Sequence, residues 1–316
     1  MEEKKELSVV ICTKNRSGVL AETLGALLNQ LTDRDEVIVV DNGSTDDTHE
    51  TVQGFQQGRI DVRYLSATTP GKSFARNKGI AHARGTYIGF LDDDANPLPG
   101  WRQSAAQAFT ELPAHWGALQ GQIIPKVDGE KPSWMSDRDF HTLTSRLMKG
   151  DKPFRLDKNP GLFTANVLCK KKALDAVGGF NRLFDRWGNG RTCGEDIELG
   201  IQIERSGYTV HYYPALKVHH VLPASRFTLD SLIQRRYYGA FGEYLVYYIT
   251  KTGWRRLLFI SEQMAKRPIF LLASYLGLGV GKMLGREQDV VFLRTRIARS
   301  LGYLQAATSL LRAKNP

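Results

Sequence analysis

Cysteine is scarce: Cys12, Cys169 and Cys193 are the three in 316 residues, far apart and without a CxxC pair. That excludes a disulfide framework and offers no structural zinc site. Long apolar runs are also lacking, and no stretch reaches the ~18 consecutive apolar residues of a spanning helix. The opening MEEKKELSVV has neither the basic start nor the apolar run of a secretory leader, so a reducing cytosol is the expected home. No internal repeat or low-complexity tract occurs. With 42% hydrophobic and 24% charged residues, disorder and collagen-like repetition are excluded and a globular core is expected.

Charge is unevenly placed. Residues 226–316 carry 15 Lys and Arg against 5 Asp and Glu, out of chain totals of 43 and 33, which leaves 28 of each in residues 1–225. The whole +10 excess therefore sits in the C-terminal region. Such a segment fits an anionic membrane surface, an acidic partner or nucleic acid. Nucleic acid is the poorest fit, because no recognition motif accompanies the charge.

The first hundred residues alternate strand and helix signals. Apolar, β-branched runs at Leu7–Thr13, Glu36–Val40, Val62–Leu65 and Thr86–Leu91 predict strands. Between them, Ser17 precedes an apolar pattern at Leu20, Leu24, Leu27, Leu28 and Leu31, Ser44–Asp47 caps a helix to about Gln57, and Ser73–Ala83 carries Ala75, Gly79 and Ala83 at i+4 spacing. This alternation predicts an α/β fold with a mostly parallel, Rossmann-like sheet flanked by helices. Residues 125–160 read as a long surface excursion around Trp134. Phe163–Cys169 is expected as a strand, Lys171–Val177 and Ile197–Ser206 as helices, and Val210–Tyr213 and Lys217–Val221 as two further strands. From Arg226 onward the chain reads as helical. The expected division is a catalytic domain over 1–225 and a basic helical region over 226–316.

Two nucleotide motifs fail. The turn after the first strand, CTKNRSG, lacks the GxGxxG glycines that let a backbone approach a pyrophosphate. PGKS at 70–73 ends like a P-loop, but Ser66 stands where the pattern requires glycine, and Pro70 has no N–H to offer phosphate.

Carboxylates are the sharper signal. Asp92, Asp93 and Asp94 follow the apolar run ending at Leu91, and strand alternation aims Asp92 and Asp94 to one side at the carboxyl end of the sheet. Clustered carboxylates repel unless a cation neutralises them, and Mg2+ or Mn2+ with a substrate diphosphate would do so. The plainer alternative is a solvated acidic turn. Glu195-Asp196 precedes an apolar helix, as a helix cap or as a general base toward a hydroxyl. His219 and His220 alternate faces, so one of them can join a metal held by carboxylates, or both are structural. Asp41, in VDNGS, either accepts hydrogen bonds from a nucleoside or forms the turn. Arg76 and Asn77 either line a nucleotide pocket or lie on a solvated helix face.

Seven segments resemble glycosyltransferase family 2 with the GT-A fold: VVICTKNR (9–16), VVDNGSTDDT (39–48), PGKSFARNKG (70–79), GTYIGFLDDDA (85–95), TANVLCKKKALDAVGGFN (164–181), GEDIELGIQI (194–203) and YPALKVHH (213–220). They occur in the family's order over residues 7–225. The resemblance implies metal-dependent, inverting, hexosyltransferase-type transfer from a nucleotide-diphosphate sugar to an acceptor hydroxyl, as in cell-surface polysaccharide or glycolipid synthesis. It implies Asp196 as the base with Glu195 beside it. Thr13, Asn15, Arg16, Asp41, Lys72, Arg76, Asn77, Asp92 and Asp93 would lie on the nucleotide-sugar side. Asp92 and Asp94, with His220 preferred over His219, would hold Mn2+ or Mg2+. Asn166, Gly179 and Phe180 would lie on the acceptor side. Trp134 is a candidate sugar-stacking residue there, with packing as its alternative. Two competing functions are an inactive GT-A scaffold, against which the intact acids argue, and a sugar-phosphate nucleotidyltransferase, for which CTKNRSG is a poor glycine-rich loop.

In the tail, PIFLLASYLGLGVG (268–281) is uncharged and flanked by Arg255, Arg256, Lys266, Arg267, Lys282 and Arg286. It is too short to span a bilayer and fits in-plane binding on the inner face of a cell membrane, or a buried or homodimer contact.

Overall fold

The structure, a computed structural model, describes residues 5–157, 161–187 and 191–312. The chain begins β1 (Lys5–Thr13), α1 (Ser17–Leu28), β2 (Asp35–Asp41), α2 (Thr48–Phe55), β3 (Asp61–Ser66), α3 (Lys72–His82), β4 (Gly85–Asp92), β5 (Ala95–Pro97) and α4 (Trp101–Glu111). It continues through β6 (Trp116–Val127), α5 (Asp137–Thr144), β7 (Phe154–Arg155), β8 (Val167–Lys170), α6 (Lys171–Val177), α7 (Glu195–Arg205) and β9 (Thr209–Leu222). Three long helices close it: α8 (Leu229–Thr250), α9 (Gly253–Met283) and α10 (Glu287–Arg312).

Two compact units result. The first holds Met1–Lys126, Arg146–Asp185 and Asp196–Val221; the second holds Val127–Ser145, Arg186–Glu195 and Leu222–Pro316. A single cut near residue 225 thus misses two earlier segments that fold with the C-terminal helices.

The first unit is built on a nine-stranded sheet, in the order β3-β2-β1-β4-β8-β6-β9-β5, with β7 against β9. Its β3-β2-β1-β4 portion is parallel, and β6 and β9 also run the same way, bonded from the Thr209 N–H to the His115 carbonyl at one end and from the Asp128 N–H to the Leu222 carbonyl at the other. The pairs β4/β8, β6/β8, β5/β9 and β7/β9 are antiparallel, so the second half of the sheet is mixed. Burial on both faces explains the unbroken apolar runs of β1 and β2. Leu7, Val9 and Ile11 of β1 join Leu20, Leu24 and Leu27 of α1 on one face, whereas Val10 joins Ala75 and Ile80 of α3 on the other. The small residues of α3 let it close on β1: a Cβ added at Gly79 would meet Val10 Cγ1 at 2.4 Å.

Several local expectations are corrected. The strand expected from Phe163 begins only at Val167, because Thr164–Asn166 is a 3-10 turn. The two strands expected around Pro214 are one, β9. The excursion over 125–160 is broken by α5 and β7, and residues 158–160 lie outside those described.

In the second unit, Ser136 caps α5 by accepting from the Asp139 N–H at 3.2 Å. Met135, Leu143, Leu222, Phe227, Leu232 and Val291 form its core, with Trp134 and Phe140 packed against it. Arg236 binds Asp139 at 2.6 Å and Arg299 binds Glu243 at 2.6 Å.

Two buried polar groups brace the first unit. Glu36 accepts from the Ser8 hydroxyl (2.6 Å), the Arg84 N–H (2.7 Å) and Arg84 Nε (2.8 Å). Burial alone would raise its pKa, but these donors outweigh it and hold the carboxyl below its ordinary value. Asn166 is fully buried; its Oδ1 accepts from Trp101 Nε1 (2.9 Å), and its Nδ2 donates to the carbonyls of Gln122 (3.0 Å) and Leu216 (2.9 Å).

Asn166→Ala leaves three buried partners unsatisfied and should cost about 2–4 kcal/mol in denaturant unfolding; unchanged stability would refute the bracing role. A depressed folded pKa means that Glu36 stabilises above its unfolded value, and that this contribution is lost as pH falls through the folded one. Melting temperature should therefore fall on acidification below about pH 5 in the wild type, and less steeply in Glu36→Gln. Parallel acid profiles would contradict this.

Candidate functional site

The carboxyl ends of three adjacent strands meet in the first unit. Register places Thr13 of β1 beside Asp41 of β2, and Cys12 beside Asp92 of β4. The acids that follow β4 are therefore next to the turn that follows β1. Arg16 in that turn reaches two of them: it pairs with Asp93 Oδ1 through one guanidinium nitrogen and with Asp94 Oδ2 at 2.8 Å through the other. Thr13 Oγ1 donates to Asp93 Oδ2 at 2.8 Å, and Thr23 Oγ1 to the Asp93 carbonyl at 2.8 Å.

His220 arrives from the far end of the chain. The β5/β9 pairing sets Ala95 opposite His220 and Asn96 opposite His219. Together with the Val221 N–H to the Asp94 carbonyl (2.8 Å), this brings His220 Nε2 to 3.1 Å from Asp94 Oδ1. His219 is not part of this cluster. Asp92, Asp94 and His220 each present one donor atom, all within 4.8 Å of one another. Two carboxylate oxygens and an imidazole nitrogen suit a hard or borderline divalent cation such as Mn2+ or Mg2+, so the residues fit the expected metal.

The electrostatics divide the trio. Asp93 is pushed up to about 6, chiefly by burial, with Arg16 pulling against it and the neighbouring Asp94 charge adding to it. Burial acts on Asp94 in the same direction, but His220 and Arg16 overcome it and hold this carboxyl well below the usual range. Asp92 is the half-exposed member, with Arg76 Nη2 at 3.6 Å. Asp92 and Asp94 share the cluster with His220, and Arg16 in addition ties Asp93 to Asp94.

Arg76 is not on a solvated face. It is 7% exposed, donates to Thr164 Oγ1 at 2.7 Å and lies 5.3 Å from the centre of the Phe180 ring. Asn77, one residue on, clamps the backbone of Phe180: its Nδ2 donates to the carbonyl and its Oδ1 accepts from the N–H, both at 2.8 Å. Gly179 makes this possible, since a Cβ there would sit 2.5 Å from Asn77 Oδ1. Lys72 opens α3, half-buried. Asn166 spends its amide on the sheet, as described above.

Asp41 is buried; it accepts from the Tyr64 hydroxyl (2.6 Å) and the Ser44 N–H (2.8 Å). Asn15, at φ 54°, accepts from the Thr45 N–H at 2.7 Å, tying the β1 and β2 turns together. Asp196 lies in the first turn of α7, half-buried, with Oδ1 accepting from the Ile197 N–H at 2.9 Å. Glu195 is buried and belongs to the second unit, as does Trp134.

Sequence reasoning missed four residues. Thr164 fixes Arg76, Tyr64 fixes Asp41, and Thr23 fixes the trio's backbone. Asp185 accepts from the N–H groups of Ser73 (3.1 Å) and Phe74 (2.9 Å), capping α3 from over a hundred residues away. Thr164 and Asp185 lie within or just beyond a matching segment; the other two carried no sequence signal.

The chain resembles known proteins in family and fold. The profile of glycosyl transferase family 2 matches residues 8–178, and one described as the N-terminal domain of galactosyltransferase matches 148–224. Hyaluronan synthase of Pasteurella multocida is 29% identical over 247 residues, which is 70% of this chain and 25% of that protein. This chain thus spans a quarter of that synthase. Succinoglycan biosynthesis protein ExoM of Rhizobium meliloti is 27% identical over 239 residues, 74% of this chain and 73% of that one. A mannosyltransferase from Pyrobaculum calidifontis, solved with GDP-Man and Mn2+, superposes with a TM-score of 0.62 at 18% identity, over 99% of this chain and 89% of that one. With the family profile covering more than half of its length, the chain belongs to glycosyltransferase family 2 and has the GT-A fold.

Proposed function

We propose that this glycosyltransferase moves a sugar from a nucleotide-diphosphate donor to an acceptor hydroxyl, with inversion and with a divalent cation, in the assembly of a cell-surface polysaccharide or glycolipid. The convergence of Asp92, Asp94 and His220 carries this reading. The Mn2+ and GDP-Man of the mannosyltransferase with the same fold support it, as do the polysaccharide products named for the relatives.

A cation held by Asp92, Asp94 and His220 would supply the positive charge that a departing diphosphate requires. The chain's own groups do the rest. Asp41, fixed by Tyr64, accepts hydrogen bonds from the nucleoside. Arg76 offers a second, buried positive charge beside Asp92. Asp196 takes the proton of the acceptor hydroxyl as its oxygen attacks the anomeric carbon. The bond to the diphosphate breaks on the opposite face, and the nucleoside diphosphate leaves with the electron pair. One displacement inverts the centre.

A screen of UDP-, GDP- and dTDP-sugars with Mn2+, followed by product analysis, tests the assignment. A matching donor should give a product of inverted anomeric configuration, and EDTA should stop its formation. Asp196→Asn should lower kcat by about 10²–10⁴-fold while nucleotide with Mn2+ still raises the melting temperature. Full transfer in EDTA, retention of configuration, or equal loss of turnover and nucleotide binding in Asp196→Asn would contradict it.

A further inference from the structure

Helix α9 is built inside out. Leu257, Leu258, Ile269, Leu272, Leu276 and Met283 are each 56–79% exposed. The buried residues of the same helix are Gln263, Ser274 and Gly281. From Leu258 through Ile269, Leu272 and Leu276 to Met283 the separations are eleven, three, four and seven residues, which places them in one stripe. Toward its neighbours in the same unit the helix sets Phe259 against Tyr247 of α8 and Phe270 under Arg296 of α10, and otherwise shows small or polar groups. Arg267 lies 3.8 Å from the centre of the Tyr303 ring of α10, and Gly277 faces Leu293. Ser274 returns its hydroxyl to the Phe270 carbonyl at 2.6 Å, and Gln263 accepts from Arg267 at 2.9 Å. A helix stabilised by water on its outer face has the reverse distribution. The stripe is continuous from Ile269 to Met283, with Ser261 and Glu262 interrupting it toward Leu258, and it exceeds the scatter of single exposed leucines on ordinary surfaces.

The charges around the stripe identify what covers it. Residues 268–281 have no charged side chain, yet Lys266 and Arg267 precede them and Lys282 and Arg286 follow. The region from 226 on is basic by 15 to 5. A second copy of the chain would set one basic region against another, whereas anionic headgroups neutralise it. The stripe does not cross the bilayer: among the described residues no helix is long and apolar enough. Its fourteen uncharged residues extend only about 21 Å, against a hydrocarbon core of about 30 Å.

We propose that α9 is a membrane-docking helix. It lies in the headgroup plane of an anionic bilayer with the leucine stripe sunk into the acyl boundary. Arg255, Lys266, Lys282 and Arg286 reach the lipid phosphates, and the exposed rings of Trp254 and Tyr275 sit at the interface.

Flotation of the full chain with vesicles tests this. Phosphatidylcholine vesicles are compared with vesicles containing about 30 mol% phosphatidylglycerol. The wild type should float with the anionic vesicles, more weakly with the neutral ones, and less as salt rises. The double variant Leu272→Gln/Leu276→Gln should bind at least about tenfold more weakly. Lys282→Gln/Arg286→Gln should also weaken binding and flatten the salt dependence. All four positions are exposed, so melting temperatures should stay at the wild-type value. No flotation with anionic vesicles, unchanged flotation of the leucine variant, or salt-independent binding would overturn the proposal. So would a stable dimer, dissociated by the leucine substitutions, in the absence of flotation.

Discussion

Three consecutive carboxylates at the end of a buried strand cannot stay there without positive charge. Asp93 and Asp94 are almost wholly buried, and Asp92 is next to them. The chain answers with Arg16, Arg76 and His220, brought from three distant parts of the sequence. Each of these residues is delivered by a different device: the turn after β1, the buried face of α3 and the antiparallel approach of β9. Removing any of them leaves a carboxylate short of its counter-charge in a poorly solvated place. The trio's demand for charge therefore constrains the sheet as much as the sheet positions the trio.

The carboxyl ends of the parallel strands suit Asp41, Asp92 and the β1 turn. The histidine comes from the end of β9. The short β5, following directly on the trio, pairs with β9 and fixes His220 against Asp94 through backbone register. The hydrogen bond from Val221 to the Asp94 carbonyl continues that register up to the acids. Asn166 ties β6 to β9 through its amide.

Much of this was legible from residue patterns. The runs of β1, β2 and β4 were plain because both of their faces are buried, and the acidic trio stood out at the end of one. The segment motifs gave the family and its order of elements. What escaped had physical reasons. Pro214 interrupts the apolar pattern of β9, although the strand passes through it. α5 offers Phe140 and Leu143 as its only apolar residues, too few to mark a helical period. Between a nucleotide pocket and a solvated face the sequence left Arg76 open, because only tertiary structure supplies Thr164 and the Phe180 ring. Asn166 and Asn77 carry the residue type expected in a binding site, yet their amides bind backbone groups of the same chain. Asp185 caps a helix that begins more than a hundred residues earlier, a contact without local signature. His219 and His220 could be separated only by the pairing partner of β9.

The central claim is that Asp92, Asp94 and His220 form one cation site through which the nucleotide is held. Manganese binding followed by electron paramagnetic resonance, with and without nucleoside diphosphate, tests it on the wild type and on Asp94→Asn. The wild type should bind Mn2+ and bind it more tightly when the nucleotide is present. Asp94→Asn should weaken both by at least about tenfold, the scale of losing a metal ligand or its support. Equal Mn2+ affinity in the two proteins, or nucleotide binding indifferent to the metal, would contradict the account.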